Sequence, residues 1–213
     1  MQPNKIDSII LDVDGTIWNT TDIVAQGWNV AIDNLFPSVP HVTGDILKGQ
    51  FGKTMNVIAD NLFVGLNDSQ KTELMQECCH KEKLALHDNK KNITYDGVVE
   101  TIKELSKKLP IFIVSNCQKG YIEVVIEKNQ IAKYISDFEC YGNNGLGKAD
   151  NIKLLVERNK LKAPVYVGDT QGDADACKEA GVPFIWAAYG FGTAEGYYKK
   201  IENFRELKNV IYF

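Results

Sequence analysis

From Gly97 onward the chain alternates short apolar runs with amphipathic helical stretches, and this alternation restricts the fold more than any other feature. VVETIKELSKK, KGYIEVVIEKNQI, NIKLLVERNK and DADACKEAG read as helices. LPIFIVSN, a stretch near DFECY, APVYVGD and VPFIWAA read as strands. Strands separated by helices return over the faces of their sheet and lie parallel, so a doubly wound α/β sheet is predicted. Gly181 stands where a helix-terminating glycine is expected.

One further strand lies far upstream. SIIL, residues 8–11, is a short apolar run closed by Asp12, and it reads as a buried strand of the same kind. Thr20, Thr21 and Asp22 then offer helix N-caps. The pattern stays helical to about His87: IVAQGWNVAIDNLF, which stops before Pro37, then MNVIADNLF and the polar SQKTELMQECCHKEKLALH. ILKGQFG interrupts these helices, and DNKKNITYDG is polar and rich in turn residues. The first strand therefore belongs to a sheet that resumes only after Gly97, and the helical block is an insertion. The expected organisation is a core of residues 1–17 and 96–213 with a helical cap of residues 18–95.

The 213 residues carry a formal net charge of −4, a mild acidity that disfavours nucleic acid as a partner. No apolar run is long enough for a membrane helix, so no membrane partner is expected. The N-terminus lacks the pattern of a cleaved signal. The five cysteines are odd in number and form no CxxC pair, so reduced thiols and a cytoplasmic location are expected. The three histidines, His41, His80 and His87, show no metal-ligand spacing. The oligomeric state is left open by the sequence.

In an open parallel sheet, ligands bind beyond the carboxyl ends of the strands. The first strand ends in Asp12 and Asp14, the second in Ser115-Asn116, and the fourth in Gly168-Asp169, with Asp173 and Asp175 behind; Lys148 lies on a loop beyond the third. Carboxylates gathered so closely repel one another, and a divalent cation, Mg²⁺ for an all-oxygen set, relieves this. A serine hydroxyl and a lysine ammonium suit a phosphate. GNNGLGKA, residues 142–149, approaches a phosphate-loop pattern, but Ala149 replaces the hydroxyl that would hold the metal. Asp175 reads as a solvated helix face, and Trp18, Trp28 and Trp186 as packing residues, with Trp18 also placed to touch substrate.

DVDGTI at 12–17, VSN at 114–116, Lys148 and VGDTQGD at 167–173 follow one another at predicted strand ends. In this order they resemble the four motifs of the haloacid dehalogenase (HAD) superfamily, specifically its phosphatases with a helical cap. TYDGVVETIKEL and DADACKEAGVPFIWAAYGFG resemble its phosphoglycolate phosphatase-like branch. Asp96 departs from the proline that many relatives carry at re-entry to the core. The resemblance implies a Rossmann-like core and Mg²⁺-dependent hydrolysis of a small phosphomonoester through an aspartyl-phosphate. Asp12 would be the nucleophile and Asp14 the acid/base. The resemblance also implies metal binding by Asp12, Asp14 through its backbone carbonyl, Asp169, and Asp173 directly or through water. Ser115, Asn116 and Lys148 would bind phosphate. Lys48 and Lys53, in the cap's LKGQFGK break, are candidates for a substrate anion. A cap of this size implies a small phosphorylated metabolite, phosphoglycolate first. A phosphomutase of the β-phosphoglucomutase type shares all four motifs and is the enzymatic alternative. A non-enzymatic phosphoacceptor signalling domain is the alternative of another class, set against by Asp14 and by the insertion.

Overall fold

A computed structural model of the chain describes residues 5–211. The chain divides into two compact units: one runs up to Asn19 and resumes at Ile93, and the other is Thr20–Asn92.

The first unit opens with β1 (Ser8–Leu11), whose residues are all buried. The chain then enters the second unit, built from α1 (Thr21–Leu35), α2 (Gly44–Lys48), α3 (Met55–Leu62) and α4 (Asp68–Asp88). On return it forms α5 (Val98–Leu105), β2 (Ile111–Ser115), α6 (Tyr121–Lys128), β3 (Ile135–Cys140), α7 (Tyr141–Asn144), α8 (Lys148–Arg158), β4 (Pro164–Gly168), α9 (Gln171–Ala180), β5 (Phe184–Ala187), β6 (Lys199–Ile201) and α10 (Leu207–Val210). The strands form one sheet in the order β3-β2-β1-β4-β5-β6, parallel throughout. This is the predicted doubly wound sheet with an inserted helical cap.

Strand order reverses between β1 and β4, and such a switch point opens a crevice at the strands' carboxyl ends. Register places Leu11 beside Val167, so Asp12 and Asp169 leave the sheet on either side of that crevice. The Asp12 N–H still donates to the Val167 carbonyl at 2.9 Å, which ties the first catalytic candidate to the sheet. Ile9, Ile10, Leu11, Val165 and Val167 are at most 1% exposed. Each such side chain contributes roughly 1.5–3 kcal/mol by leaving water, so burial of these strands holds the platform under the crevice.

The helical unit has its own apolar core, including Val24, Trp28, Ile32, Leu47, Phe63, Leu74 and Cys78. α4 reads as polar in sequence, yet it buries Leu74, Cys78, Glu82 and Leu86 on one stripe of spacing four. The buried Glu82 carboxylate accepts from Trp28 Nε1 at 2.8 Å, giving the indole the partner it needs. Asn67 and Gln70 close a reciprocal capping box at the start of α4. Thr20, by contrast, occupies the N-cap position of α1 without a side-chain cap bond.

Two elements differ from the sequence expectation. Lys148 is the first residue of α8, not a loop residue. β6 has no counterpart in the sequence reading, because a three-residue strand written KKI carries no apolar run. Short, lysine-bearing strands of that kind are typical of sheet edges.

Candidate active site

The turn after β1 folds back on itself. The Val13 carbonyl accepts from Thr16 N–H at 3.2 Å and Ile17 N–H at 2.7 Å, and Gly15 N–H donates to the Trp18 carbonyl at 2.9 Å. Gly15 holds φ at +82°, and any Cβ there would run into the Asp169 carboxylate. Gly190 is constrained likewise, by Asp169 and the Gly15 carbonyl. The Gly15 in DVDGT is thus required twice, for a left-handed backbone and for the approach of a carboxylate.

Asp12, Asp169 and Asp173 are buried, with one carboxylate oxygen of each lying within 4.8 Å of the others. Lys148 Nζ donates to Asp12 Oδ1 at 2.7 Å and to Asp173 Oδ1 at 2.5 Å. Asp173 Oδ2 accepts from the backbone N–H groups of Asp169 and Thr170 and from the Thr170 hydroxyl. Asp173 therefore caps α9 with one oxygen and holds Lys148 with the other. The Tyr166 hydroxyl donates to the Val114 carbonyl at 3.0 Å and lies 3.4 Å from Asp12 Oδ1 and 3.5 Å from Asp173 Oδ1. Asp169 Oδ2 accepts from Phe191 N–H at 2.7 Å. Asp169 Oδ1 is buried and has no hydrogen-bond partner.

Burial and like charge dominate the electrostatics. Burial pushes Asp12 up to about 7, Lys148 opposes this, and Asp173 and Asp14 reinforce it. Burial, then the charges of Asp173 and Asp12, hold Asp169 well above the ordinary carboxylate range. Burial disfavours the Lys148 ammonium, but Asp12 and Asp173 outweigh that and hold it protonated. Asp173 stays low: burial raises it, but Lys148 and the Thr170 donors prevail. Three buried carboxyl groups face one ammonium, so ionising all three would leave an excess of negative charge, and one buried oxygen points at no donor. Both features fit a divalent cation held by oxygen ligands.

Asp14 is half-buried at the rim of this cluster. Its Oδ1 accepts from Tyr121 Oη at 2.7 Å and Trp18 Nε1 at 3.0 Å. Ser115 is buried at the end of β2, and its Oγ accepts from Cys117 N–H at 3.3 Å. Asn116 follows it at the same strand end. Lys48 and Lys53 belong to the helical unit and are exposed. Lys48 pairs with Asp45 at 2.9 Å, and Lys53 donates to the Gly49 carbonyl and to Gln50. Asp175, exposed, accepts from Gln171 Nε2, in keeping with a solvated helix face. The lysine of GNNGLGKA is enclosed by two carboxylates and so cannot serve an open phosphate loop.

The chain matches the haloacid dehalogenase-like hydrolase family over residues 9–187, a span containing every carboxylate of the cluster together with Ser115 and Lys148. It belongs to that family. This HAD-like hydrolase is 23% identical over 206 residues to phosphoglycolate phosphatase of Vibrio parahaemolyticus serotype O3:K6, an alignment covering 92% of the chain and 89% of the relative. Its fold is similar to the crystal structure of a predicted phosphoglycolate phosphatase from Haemophilus somnus 129PT. There the TM-score is 0.83 at 18% identity, covering 96% of this chain and 97% of the other. It is also similar to CbbY from Rhodobacter sphaeroides, solved with xylulose-(1,5)bisphosphate: TM-score 0.79, 14% identity, coverage 95% and 96%.

In this HAD-like hydrolase several site residues escape sequence reasoning. Tyr166 lies inside a fully apolar strand, and the one signal for it is that a buried phenol needs a hydrogen-bond partner. Tyr121 follows a glycine at the start of α6 and carries no motif. Phe191 contributes its backbone N–H, which no side-chain pattern could reveal.

Proposed function

We propose that the chain is a Mg²⁺-dependent phosphatase that hydrolyses a small phosphomonoester through an aspartyl-phosphate on Asp12. The observation that carries this reading is the pairing of Asp12 with a buried Lys148 at the sheet's switch point, beside a second carboxylate, Asp14, held by its own donors. Asp12 Oδ attacks phosphorus; the Asp12 O–P bond forms as the bond to the leaving oxygen breaks, and Asp14 gives its proton to that oxygen. In the second step Asp14 takes a proton from water, whose oxygen attacks phosphorus and frees Asp12 and inorganic phosphate. Lys148 favours the ionised form of Asp12 against its burial and offsets charge on the phosphoryl oxygens. The Ser115 hydroxyl and Asn116 are proposed to bind those oxygens.

Magnesium would be held by Asp12, Asp169, the Asp14 carbonyl and Asp173, and would neutralise the carboxylates and the phosphoryl group when bound. Both oxygens of Asp173 are engaged by protein donors, which favours contact through water over a direct bond.

Phosphoglycolate is the first substrate to test, supported by the name of the Vibrio relative and by the Haemophilus fold match. Residues 18–95 are proposed as the specificity-bearing cap. Lys48 and Lys53 are proposed to meet the substrate's second anionic group. A cytoplasmic location is proposed on the strength of the free cysteines; among the described residues no helix is long and apolar enough to cross a membrane.

The test is phosphate release from a panel of small phosphates, with and without Mg²⁺, with Asp12→Asn as control. Mg²⁺-dependent release that is absent from the variant supports the reading. Isomerised sugar phosphate without net release would replace it with a mutase. Lys48→Ala and Lys53→Ala are expected to raise KM with kcat retained; unchanged kinetics would remove both lysines from the site.

A further inference from the structure

The proposed acid/base, Asp14, is not left to solvent. Two buried side chains converge on a single oxygen of it. Tyr121 Oη approaches Oδ1 to 2.7 Å and Trp18 Nε1 to 3.0 Å, while the two rings meet edge to face with centroids 5.6 Å apart. Trp18 is 0% exposed and Tyr121 5%. The two donors come from either side of the inserted helical unit in the sequence. Trp18 closes the turn after β1, where its backbone bridges both Asp14 and Thr94. Tyr121 opens α6 behind Gly120, whose φ is +88°.

An indole N–H can only donate. With the Tyr121 hydroxyl donating to it as well, Oδ1 acts as the acceptor of two hydrogen bonds, and a proton carried by this carboxyl is favoured on Oδ2. Catalysis by proton transfer depends on the proton's being aimed at the leaving oxygen within hydrogen-bond reach. We infer that Trp18 and Tyr121 are positioning residues that pin Asp14 Oδ1 and thereby assign Oδ2 as the atom that delivers and retrieves the proton. This rests on the phosphatase reading above and deepens it. Neither residue touches the reacting atoms in this account; each acts through Asp14.

A structural role and a positioning role give different signatures. Protonation of the leaving oxygen matters for a basic alkoxide and little for an acidic phenol. The experiment is therefore kcat/KM, at saturating Mg²⁺, for a primary alkyl phosphate and for 4-nitrophenyl phosphate. It is run on wild type, Tyr121→Phe, Trp18→Phe, the double variant and Asp14→Asn. At Tyr121 phenylalanine keeps the ring and removes only the hydroxyl; at Trp18 it keeps a buried ring but removes volume along with the donor, so Tyr121→Phe is the cleaner test.

Loss of correctly aimed acid catalysis is expected to lower kcat/KM for the alkyl ester by about 10- to 100-fold in each single variant, with the aryl ester changed less than about threefold. The double variant should approach Asp14→Asn without exceeding it. Equal losses on both esters, or no loss on either, would overturn the assignment while leaving the phosphatase intact. If wild type cleaves neither these esters nor any of the panel above, the phosphatase reading fails and this inference falls with it.

Discussion

Asp169 is the residue at which charge and burial conflict most. Its carboxylate is buried, and one oxygen lacks a donor. In metal-free protein the neutral form is favoured, since burial and then the neighbouring carboxylates raise its pKa. A carboxyl whose folded pKa exceeds its unfolded value contributes stability that is complete below the unfolded pKa and is lost as pH rises through the folded one. In chelator, wild type should therefore lose stability relative to Asp169→Asn as pH rises from about 4, as measured by paired denaturant titrations. Saturating Mg²⁺ at 100 times Kd should stabilise wild type by about 2.7 kcal/mol and leave Asp169→Asn unmoved. Lys148 carries the complementary expectation. Lys148→Met leaves Asp12 and Asp173 without their shared cation, and breaking such a buried pairing costs about 3–5 kcal/mol. For a chain of this size each kcal/mol lowers Tm by roughly 2–4 °C. A thermal melt of Lys148→Met that overlays wild type would refute this account of the residue.

At the scale of elements, α8 begins with a lysine, where the positive end of the helix dipole disfavours one. The two carboxylates explain the choice: Lys148 is placed for β1 and α9, not for its own helix. α9 has the reverse logic. Its capping box uses Thr170 and Asp173, so the turn that starts the helix also builds the site. In the helical unit, α1 and α4 approach closely at Gly27, where a Cβ would come within 3.0 Å of the Lys81 backbone. Gly27→Val should cost about 1–3 kcal/mol through overpacking, read from its denaturation midpoint. The Arg205–Asp96 pair spans a long stretch of sequence with two hydrogen bonds, at 2.9 and 3.0 Å, but both groups are exposed. Asp96→Ala should leave Tm within error of wild type, because solvent screens such pairs.

For the whole molecule, two units with separate cores make a single unfolding temperature a poor descriptor, so each Tm above refers to the transition of the unit that carries the substitution. Hydrogen exchange resolves them: Mg²⁺ should slow exchange around residues 9–17 and 165–174 and leave α1 and α4 unchanged. Much of this architecture is legible in the chain itself. Runs such as IFIV and VYV report strands buried on both faces, and the 3.6-residue period reports the helices between them. Aspartates at the ends of those strands had to gather at one edge, because parallel strands all present the same end to the same side. Periodicity records whether a side chain is buried, not what it meets. The order of the motifs implied that Lys148 meets Asp12, 136 positions away, but only the folded chain could bring Tyr121 to Asp14 across 107, since that contact leaves no local pattern. For the same reason it took the tertiary structure to show Asp173 with both oxygens committed, Asp169 with one oxygen unpartnered, and Asp14 pinned by an indole and a phenol.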